Sequence, residues 1–316
     1  MEWTKQFSKT HQREYWFNTA TGERSWENPV ASSHKDVDVD DSDQPTKKVK
    51  RTDRIAIIIP FRETPGTQTR TNQLNRFIPH MNDKLAGCDF TIFVVEQSDD
   101  GRRFNRGKLL NIGFDIARTE GYSIFVFHDV DLLPDSELAE WYKKVPKDDP
   151  IHIARPWKRY AYSRYFGGIV SFSREMFERI NGFPNNFWGW GGEDDELSTR
   201  VREAGMVPVG ASGNVTDLEG IETAKEKNEI LKKENAKCMN KTEVLEEHKD
   251  TWRTNGLMVK SEGGSEQLKK FEYDVLARLD EPVRHYSKIT VDIRLNNHPF
   301  TDRTSFLNTS QLAAHK

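Results

Sequence analysis

SIFVFHDVDLLP, residues 123–134, joins an apolar run to an acidic turn and then to a proline. Ile124, Phe125, Val126 and Phe127 show no polar alternation, the pattern of a strand covered on both faces in a parallel sheet. Asp129 and Asp131 follow at the strand exit. In an open parallel sheet ligands bind beyond the carboxyl ends of the strands, so these acids stand where a nucleotide would sit. Strand alternation predicts that both point the same way, and two hard oxygen ligands suit Mn²⁺ or Mg²⁺ bridging a diphosphate. An Asp-Val-Asp taken alone is weak evidence for a metal site and reads more readily as a capped turn.

Working outward, two similar apolar runs precede it, IAIII (55–59) and FTIFVVE (90–96). Helical stretches separate the three runs, TNQLNRFIPHMNDKL (71–85) and RGKLLNIGFDIARTEG (106–121), the latter with Leu109, Ile112, Gly113, Ile116 and Ala117 on one face. This spacing predicts the βαβαβ start of a nucleotide-binding layer, an α/β fold with a Rossmann-like central sheet. Downstream, ELSTRVREAG (196–205) reads as a helix ended by Gly205, and residues 222–253 as one or two charged surface helices. FEYDVLARLDE (271–281) and YSKITVDIRL (286–295) predict an antiparallel edge.

The 316 residues suffice for one sizeable α/β domain and a small accessory module. With 35% hydrophobic and 31% charged residues and a net charge of -3, the composition excludes a membrane-embedded protein and gives no overall pull toward nucleic acid. Cys88 and Cys238 are the two cysteines, too few for a disulfide framework, so a reducing location fits. The first residues, MEWTKQFSKTHQREYWFN, lack the pattern of a secretory signal, and no 18-residue apolar run could span a bilayer. A cytoplasmic or nuclear location is the expectation. Lys47-Lys48-Val49-Lys50-Arg51 reads either as a short nuclear import signal or as a solvated basic run. The sequons at Asn214, Asn240 and Asn308 do not argue for secretion.

Residues 1–30 are aromatic and turn-rich, whereas residues 31–53 are acidic, then basic, and nearly without apolar content. That contrast predicts a small domain, a disordered linker, and a main domain over residues 54–316. Trp3 and Trp26, with Tyr15-Trp16-Phe17-Asn18 between them, Thr21-Gly22 in the second turn and Pro29 beyond, resemble a WW domain. Such a module is a three-stranded all-β sheet, too small for an ordinary core, in which Trp3, Trp16 and Pro29 would pack on one face. The resemblance implies that Tyr15 and Trp26 form an aromatic groove for a proline-rich peptide, a partner already extended and so ordered at low entropic cost.

Four further motifs occur with the Asp-Val-Asp: Pro60-Phe61-Arg62 after the first strand, Phe104-Asn105-Arg106-Gly107-Lys108-Leu109-Leu110-Asn111 opening a helix, Phe166-Gly167-Gly168, and Phe187-Trp188-Gly189-Trp190-Gly191-Gly192-Glu193-Asp194-Asp195-Glu196. In this order and spacing they resemble the β-1,4-galactosyltransferase family, from about Arg54 to about Gly210, and most closely its xylosylprotein branch. The resemblance implies a nucleotide-diphospho-sugar transferase (GT-A) fold and an inverting, metal-dependent transfer of galactose from UDP-galactose to a glycan or glycoprotein acceptor in β-1,4 linkage.

By the same resemblance, Asp194 is the catalytic base, with Glu193 and Asp195 beside it holding acceptor hydroxyls and backbone while Asp194 stays ionised. Pro60, Phe61, Arg62, Phe104 and Arg106 would hold the uridine, with Asp129, Val130 and Asp131 at the diphosphate. Tyr165, before Phe166-Gly167-Gly168, would crowd the 2-position of the sugar, and Gly168 would lie against the donor. Trp190 and Gly191 would belong to a mobile loop over both substrates, while Trp188 is expected in the core.

The sequence departs from the family where further metal ligands are due, His-x-His or Met-x-x-His. It reads Gly213-Asn214-Val215-Thr216-Asp217-Leu218-Glu219-Gly220 instead, so Asp217 and Glu219 are expected to complete an all-oxygen Mn²⁺ or Mg²⁺ site with Asp131. Capping of a following helix by the same two acids is the competing reading. An inactive transferase fold acting through its WW module, and a transferase using UDP-N-acetylgalactosamine or UDP-N-acetylglucosamine, remain open alternatives.

Overall fold

A computed structural model of the chain describes residues 3–8, 13–19, 24–25, 53–63, 69–160, 162, 164–238, 240–261 and 267–294. The chain divides into two compact units, Met1–Arg51 and Thr52–Lys316. In the first, β1 (Trp3–Ser8), β2 (Arg13–Asn18) and β3 (Arg24–Ser25) form an antiparallel sheet in the order β1-β2-β3. Trp3 stands opposite Asn18, and Trp16 lies between Lys5 and Ser25. Asn18 is buried and Trp16 half-buried. Trp26, Pro29, Thr21-Gly22, the side chain of Tyr15 and nearly all of the expected linker lie outside the described residues.

The larger unit begins with β4 (Ile55–Phe61), α1 (Arg70–Lys84), β5 (Phe90–Gln97), α2 (Arg106–Thr119) and β6 (Ile124–His128). Next come β7 (Leu132–Pro134), α3 (Ser136–Ala139), β8 (Ile151–His152), β9 (Ile169–Ser173), α4 (Arg174–Arg179) and α5 (Glu193–Glu203). The chain continues through β10 (Val209–Gly210), β11 (Val215–Asp217), α6 (Ala224–Lys233), α7 (Lys241–Thr251), β12 (Met258–Lys260), β13 (Leu268–Lys270), β14 (Asp274–Glu281) and β15 (Tyr286–Asp292).

Eight strands form one mixed sheet in the order β10-β8-β9-β6-β4-β5-β15-β14. β6, β4, β5 and β15 run parallel, and β9 and β14 pair antiparallel with β6 and β15. The apolar runs are central because every residue of β4 and β6 is buried, so both faces must be covered. One apolar layer joins Ile58, Val95 and Phe127 to α2; the other joins Ile57, Ile59 and Val94 to α1. Gly113 permits the close approach of α2, since a Cβ there would stand 2.3 Å from the Ile58 side chain.

From β4 the chain crosses to β5 on one side, and from β5 it returns through α2 to β6 on the other. The connections therefore diverge at β4, which opens a crevice beyond the carboxyl ends of β4 and β6. The expected charged segment 222–253 breaks into α6 and α7, and the final pair forms the antiparallel edge β14-β15. α5 starts earlier than its apolar pattern predicts, at Glu193, so the acidic run is itself a helical first turn. Four carboxylates there complement the exposed N–H groups and the positive end of the helix.

Candidate active site

The crevice is a cleft of about 460 Å³. Pro60, Phe61, Arg62, Phe104, Arg106, Asp129, Val130, Asp131, Tyr165, Trp190, Gly191, Glu193, Asp194, Asp195 and Glu219 all line it, so nearly every residue singled out in the sequence converges. Gly168 and Asp217 do not line it.

Arg106 is the centre of the cleft. Asn105 caps α2, its side-chain Oδ1 accepting from Lys108 N–H at 3.0 Å while its Nδ2 donates to Asn185 O at 2.7 Å. That fixes Arg106 on the first helical residue, facing the cleft. Its guanidinium reaches Asp129 at 2.8 Å, Asp194 at 2.8 Å and Glu193 at 3.6 Å. One cation thus joins the acidic turn after β6 to the acidic run opening α5.

Two glycines set the position of Asp194. Gly192, with φ of 109°, turns the chain into α5, and a Cβ there would meet the Phe187 ring at 2.3 Å. Gly167 presents a bare α-carbon to the Asp194 carboxylate, whose Oδ2 stands 2.2 Å from where a Cβ would be. Asp194 is pressed against backbone on one side and Arg106 on the other. Burial pushes its carboxyl up to about 8 despite Arg106, with Glu193, Asp129 and Asp195 adding to the rise. Asp194 is expected from the sequence to stay ionised, but in the cleft desolvation outweighs the one cation and its carboxyl is raised. Glu193 is buried with Oε2 unpartnered, and its carboxyl is raised by burial also. Asp195 is exposed and paired with Lys241 at 2.5 Å.

Asp129 and Asp131 part company. β6 ends at His128, and a turn follows in which Leu132 N–H donates to Asp129 O at 3.2 Å, so strand alternation no longer applies. Asp129 faces Arg106, whereas Asp131 faces Asp217 and Glu219. His128 is structural: its Nε2 lies 2.6 Å from the Tyr142 hydroxyl, and burial pushes the imidazole down to about 3.

Asp131, Asp217 and Glu219 offer carboxylate oxygens all within 4.8 Å of one another. The small antiparallel pair β7-β11 assembles them. Asp217 stands opposite Leu132, and Leu218 N–H donates to Asp131 O at 2.7 Å. Three cations that the sequence did not single out meet these acids. Arg70 reaches Asp131 at 3.0 Å and Glu219 at 3.3 Å, Arg159 reaches Asp217 and, at 2.8 Å, Glu219, and Lys227 reaches Glu219 at 2.6 Å. Each of the three reads in the sequence as an ordinary surface cation.

An aromatic wall of Trp157, Tyr160, Tyr162 and Tyr165 closes one side, with Tyr160 and Tyr165 rings 4.8 Å apart. Trp188 is buried at 4% exposure and Trp190 stands at the rim at 38%. The Trp190 backbone is tied, its N–H donating to Ala236 O at 2.8 Å and its carbonyl accepting from Cys238 N–H at 2.9 Å. Arg62 donates to Arg102 O at 2.9 Å and lies over the Phe104 ring, 5.6 Å from its centroid.

Residues 12–143 match the N-terminal region of glycosyl transferase group 7, and residues 150–225 match a family described as the N-terminal domain of galactosyltransferase. These matches support the β-1,4-galactosyltransferase family. Human beta-1,4-galactosyltransferase 4 is 36% identical over 219 residues, covering 67% of this chain and 59% of its own length. Beta-1,4-galactosyltransferase 7 of Drosophila melanogaster is 41% identical over 159 residues, 48% of this chain and 46% of its own. The chain thus spans about half to three-fifths of the length of these relatives. A crystal structure of the Drosophila enzyme, in complex with manganese, UDP-Gal and xylobiose, superposes with a TM-score of 0.58 at 29% identity, covering 77% of this chain and 95% of that one. The mixed sheet is that of GT-A nucleotide-diphospho-sugar transferases. Among the described residues, no helix is long and apolar enough to cross a membrane.

Proposed function

We propose that the larger unit is a glycosyltransferase moving galactose from UDP-galactose to an acceptor hydroxyl with inversion, in β-1,4 linkage. The observation that carries this reading is Arg106 joining Asp129 to Asp194 in one cleft at a sheet switch point. The Drosophila relative's manganese, UDP-Gal and xylobiose support a Mn²⁺-assisted UDP-sugar donor and a glycan acceptor.

Asp131, Asp217 and Glu219 fit a hard divalent cation in donor chemistry and separation: carboxylate oxygens within 4.8 Å, on side chains at most 14% exposed. Bound there, Mn²⁺ would stabilise negative charge developing on the departing diphosphate. Pro60, Phe61, Arg62 and Phe104 line the cleft near the end of β4, where they would hold the uridine. Asp194 takes the proton from the acceptor hydroxyl. A carboxylate raised to about 8 is matched to that task near neutral pH, where an ordinary aspartate would be too weak a base. Glu193, which lines the cleft beside Arg106, would accept a hydrogen bond from an acceptor hydroxyl. Tyr165, packed among His152, Trp157 and Tyr160, narrows the cleft beside Asp194 and favours galactose over an N-acetylated sugar.

The N-terminal sheet is read as a WW module that recruits proline-rich partners; its antiparallel order and short third strand support this.

The test is UDP release from radiolabelled UDP-galactose by the purified chain, with xylosides and glucosaminides as acceptors. Metal-stimulated release that EDTA abolishes and Asp194→Asn lowers by about 10²-fold or more is the expected result. Absence of release with UDP-galactose, UDP-N-acetylgalactosamine and UDP-N-acetylglucosamine alike would remove the proposal.

A further inference from the structure

The acidic cluster at the wall of the cleft already holds a full complement of cations. Asp131, Asp217 and Glu219 carry three negative charges on side chains that are 8%, 14% and 8% exposed. Buried carboxylates this close would repel and lose hydration, so each needs a counter-charge. Arg159 is 2% exposed in its side chain and bridges Asp217 and Glu219. Lys227, 5% exposed on the first turn of α6, donates to both Glu219 oxygens at 2.6 and 2.8 Å. Arg70, at the start of α1, bridges Asp131 and Glu219. Asp217 also accepts from the Trp157 indole at 3.1 Å and from Glu219 N–H at 2.9 Å.

Every oxygen of Glu219 and Asp217 is therefore engaged. A divalent ion entering the cluster has to displace ammonium and guanidinium groups, and a displaced buried cation needs a new anion nearby. The cleft provides the space for one: Arg70, Arg159 and Lys227 line it together with Asp129, Asp131 and Arg106. A diphosphate seated there would accept forked donors from the arginines and a point charge from the lysine.

We propose that Arg70, Arg159 and Lys227 are resident counter-ions that compete with divalent metal for Asp131, Asp217 and Glu219, so that metal binds weakly to the free protein and tightly only together with a nucleoside diphosphate that takes over the displaced cations. This rests on the donor-site reading above and adds to it the residues that set metal affinity. Uptake of metal and of diphosphate is one cation exchange, and by linkage each tightens the other by the same factor.

The experiment measures free Mn²⁺ by electron paramagnetic resonance during titration of the full chain with MnCl₂, with and without saturating UDP. The proteins are wild type, Lys227→Met and Arg159→Met, each checked by circular dichroism and thermal melting. Lys227→Met is the milder change, because its stem stays packed on α6 while one charge is removed. Expected are Mn²⁺ affinity about tenfold or more higher with UDP than without in wild type, affinity without UDP about tenfold higher in Lys227→Met, and a correspondingly smaller UDP effect in that variant. Equal or weaker Mn²⁺ binding by folded Lys227→Met, with UDP still bound by wild type, overturns the competition and leaves the donor site standing. No uptake of UDP by any of the three proteins at any Mn²⁺ concentration overturns both. If Arg159→Met does not fold, Lys227→Met alone decides.

Discussion

Gly167 and Asp194 belong to different sequence motifs yet touch, and their contact would make the proposed transfer sensitive to a single methyl group. Gly167→Ala would place carbon 2.2 Å from Asp194 Oδ2, so the carboxylate must move. A loss of about 10²-fold or more in turnover with a nearly unchanged melting temperature is the expected outcome, measured by UDP release and differential scanning fluorimetry. The raised Asp194 carboxyl also fixes a pH dependence. Below about 8 the group holds its proton, so kcat/KM of the free enzyme rises with pH toward that value, and Asp194→Asn removes the slope along with the activity. Stability follows the opposite course. The unfolded chain releases the proton near the ordinary 3.8, the folded chain near 8, so this group's contribution is full below the lower value and lost as pH rises through the upper one. Urea midpoints of wild type and Asp194→Asn should therefore diverge as pH rises from about 4 to about 8, wild type falling further, and run parallel above that.

At the scale of elements, α5 is held by one buried arginine that its sequence pattern does not announce. Arg200, with no exposure, pairs with Glu196 at 3.0 Å and donates to the carbonyls of Asn181, Gly182 and Asn255. Replacement by methionine would leave Glu196 with His248 but without its guanidinium, and would remove a donor from three interior carbonyls, of which Asn181 O keeps Leu257 N–H. A destabilisation of about 3–5 kcal/mol in urea melts is expected, against near neutrality for the exposed Arg202→Met.

The same scale separates what the sequence made legible from what it did not. The strands β4, β5 and β6 could be read because burial on both faces leaves uninterrupted apolar runs, and α2 because Asn105 and its apolar face mark start and side. The helical position of Glu193 to Asp195 was hidden because no apolar periodicity begins until Glu196 is passed. Alternation extended beyond the end of β6 points Asp129 and Asp131 together, whereas the turn after His128 separates them. Arg70 and Arg159 are invisible because their pairing across 149 and 60 residues depends on the β7-β11 ladder, and Lys227, only eight residues from Glu219, because a cation on a charged helix gives no sign of which acid it meets. The convergence of Pro60, Phe104, Asp129 and Asp194 was legible only through motif order.

For the whole molecule, the two halves of the site come from chain segments separated by the full β8-β9 excursion, and Arg106 on α2 is what holds them to one cleft. Arg106→Met should therefore lower donor binding and turnover together, whereas a change confined to the base, Asp194→Asn, should lower turnover with donor binding kept. The most direct measurement is isothermal titration of the full-length chain with UDP in the presence of MnCl₂, for wild type and Arg106→Met. Saturable uptake of a single UDP per chain by wild type, weakened by at least about tenfold in the folded variant, is the predicted result. Absence of UDP uptake by wild type at every Mn²⁺ concentration, or equal uptake by both proteins, would contradict a nucleotide-sugar site built around Arg106.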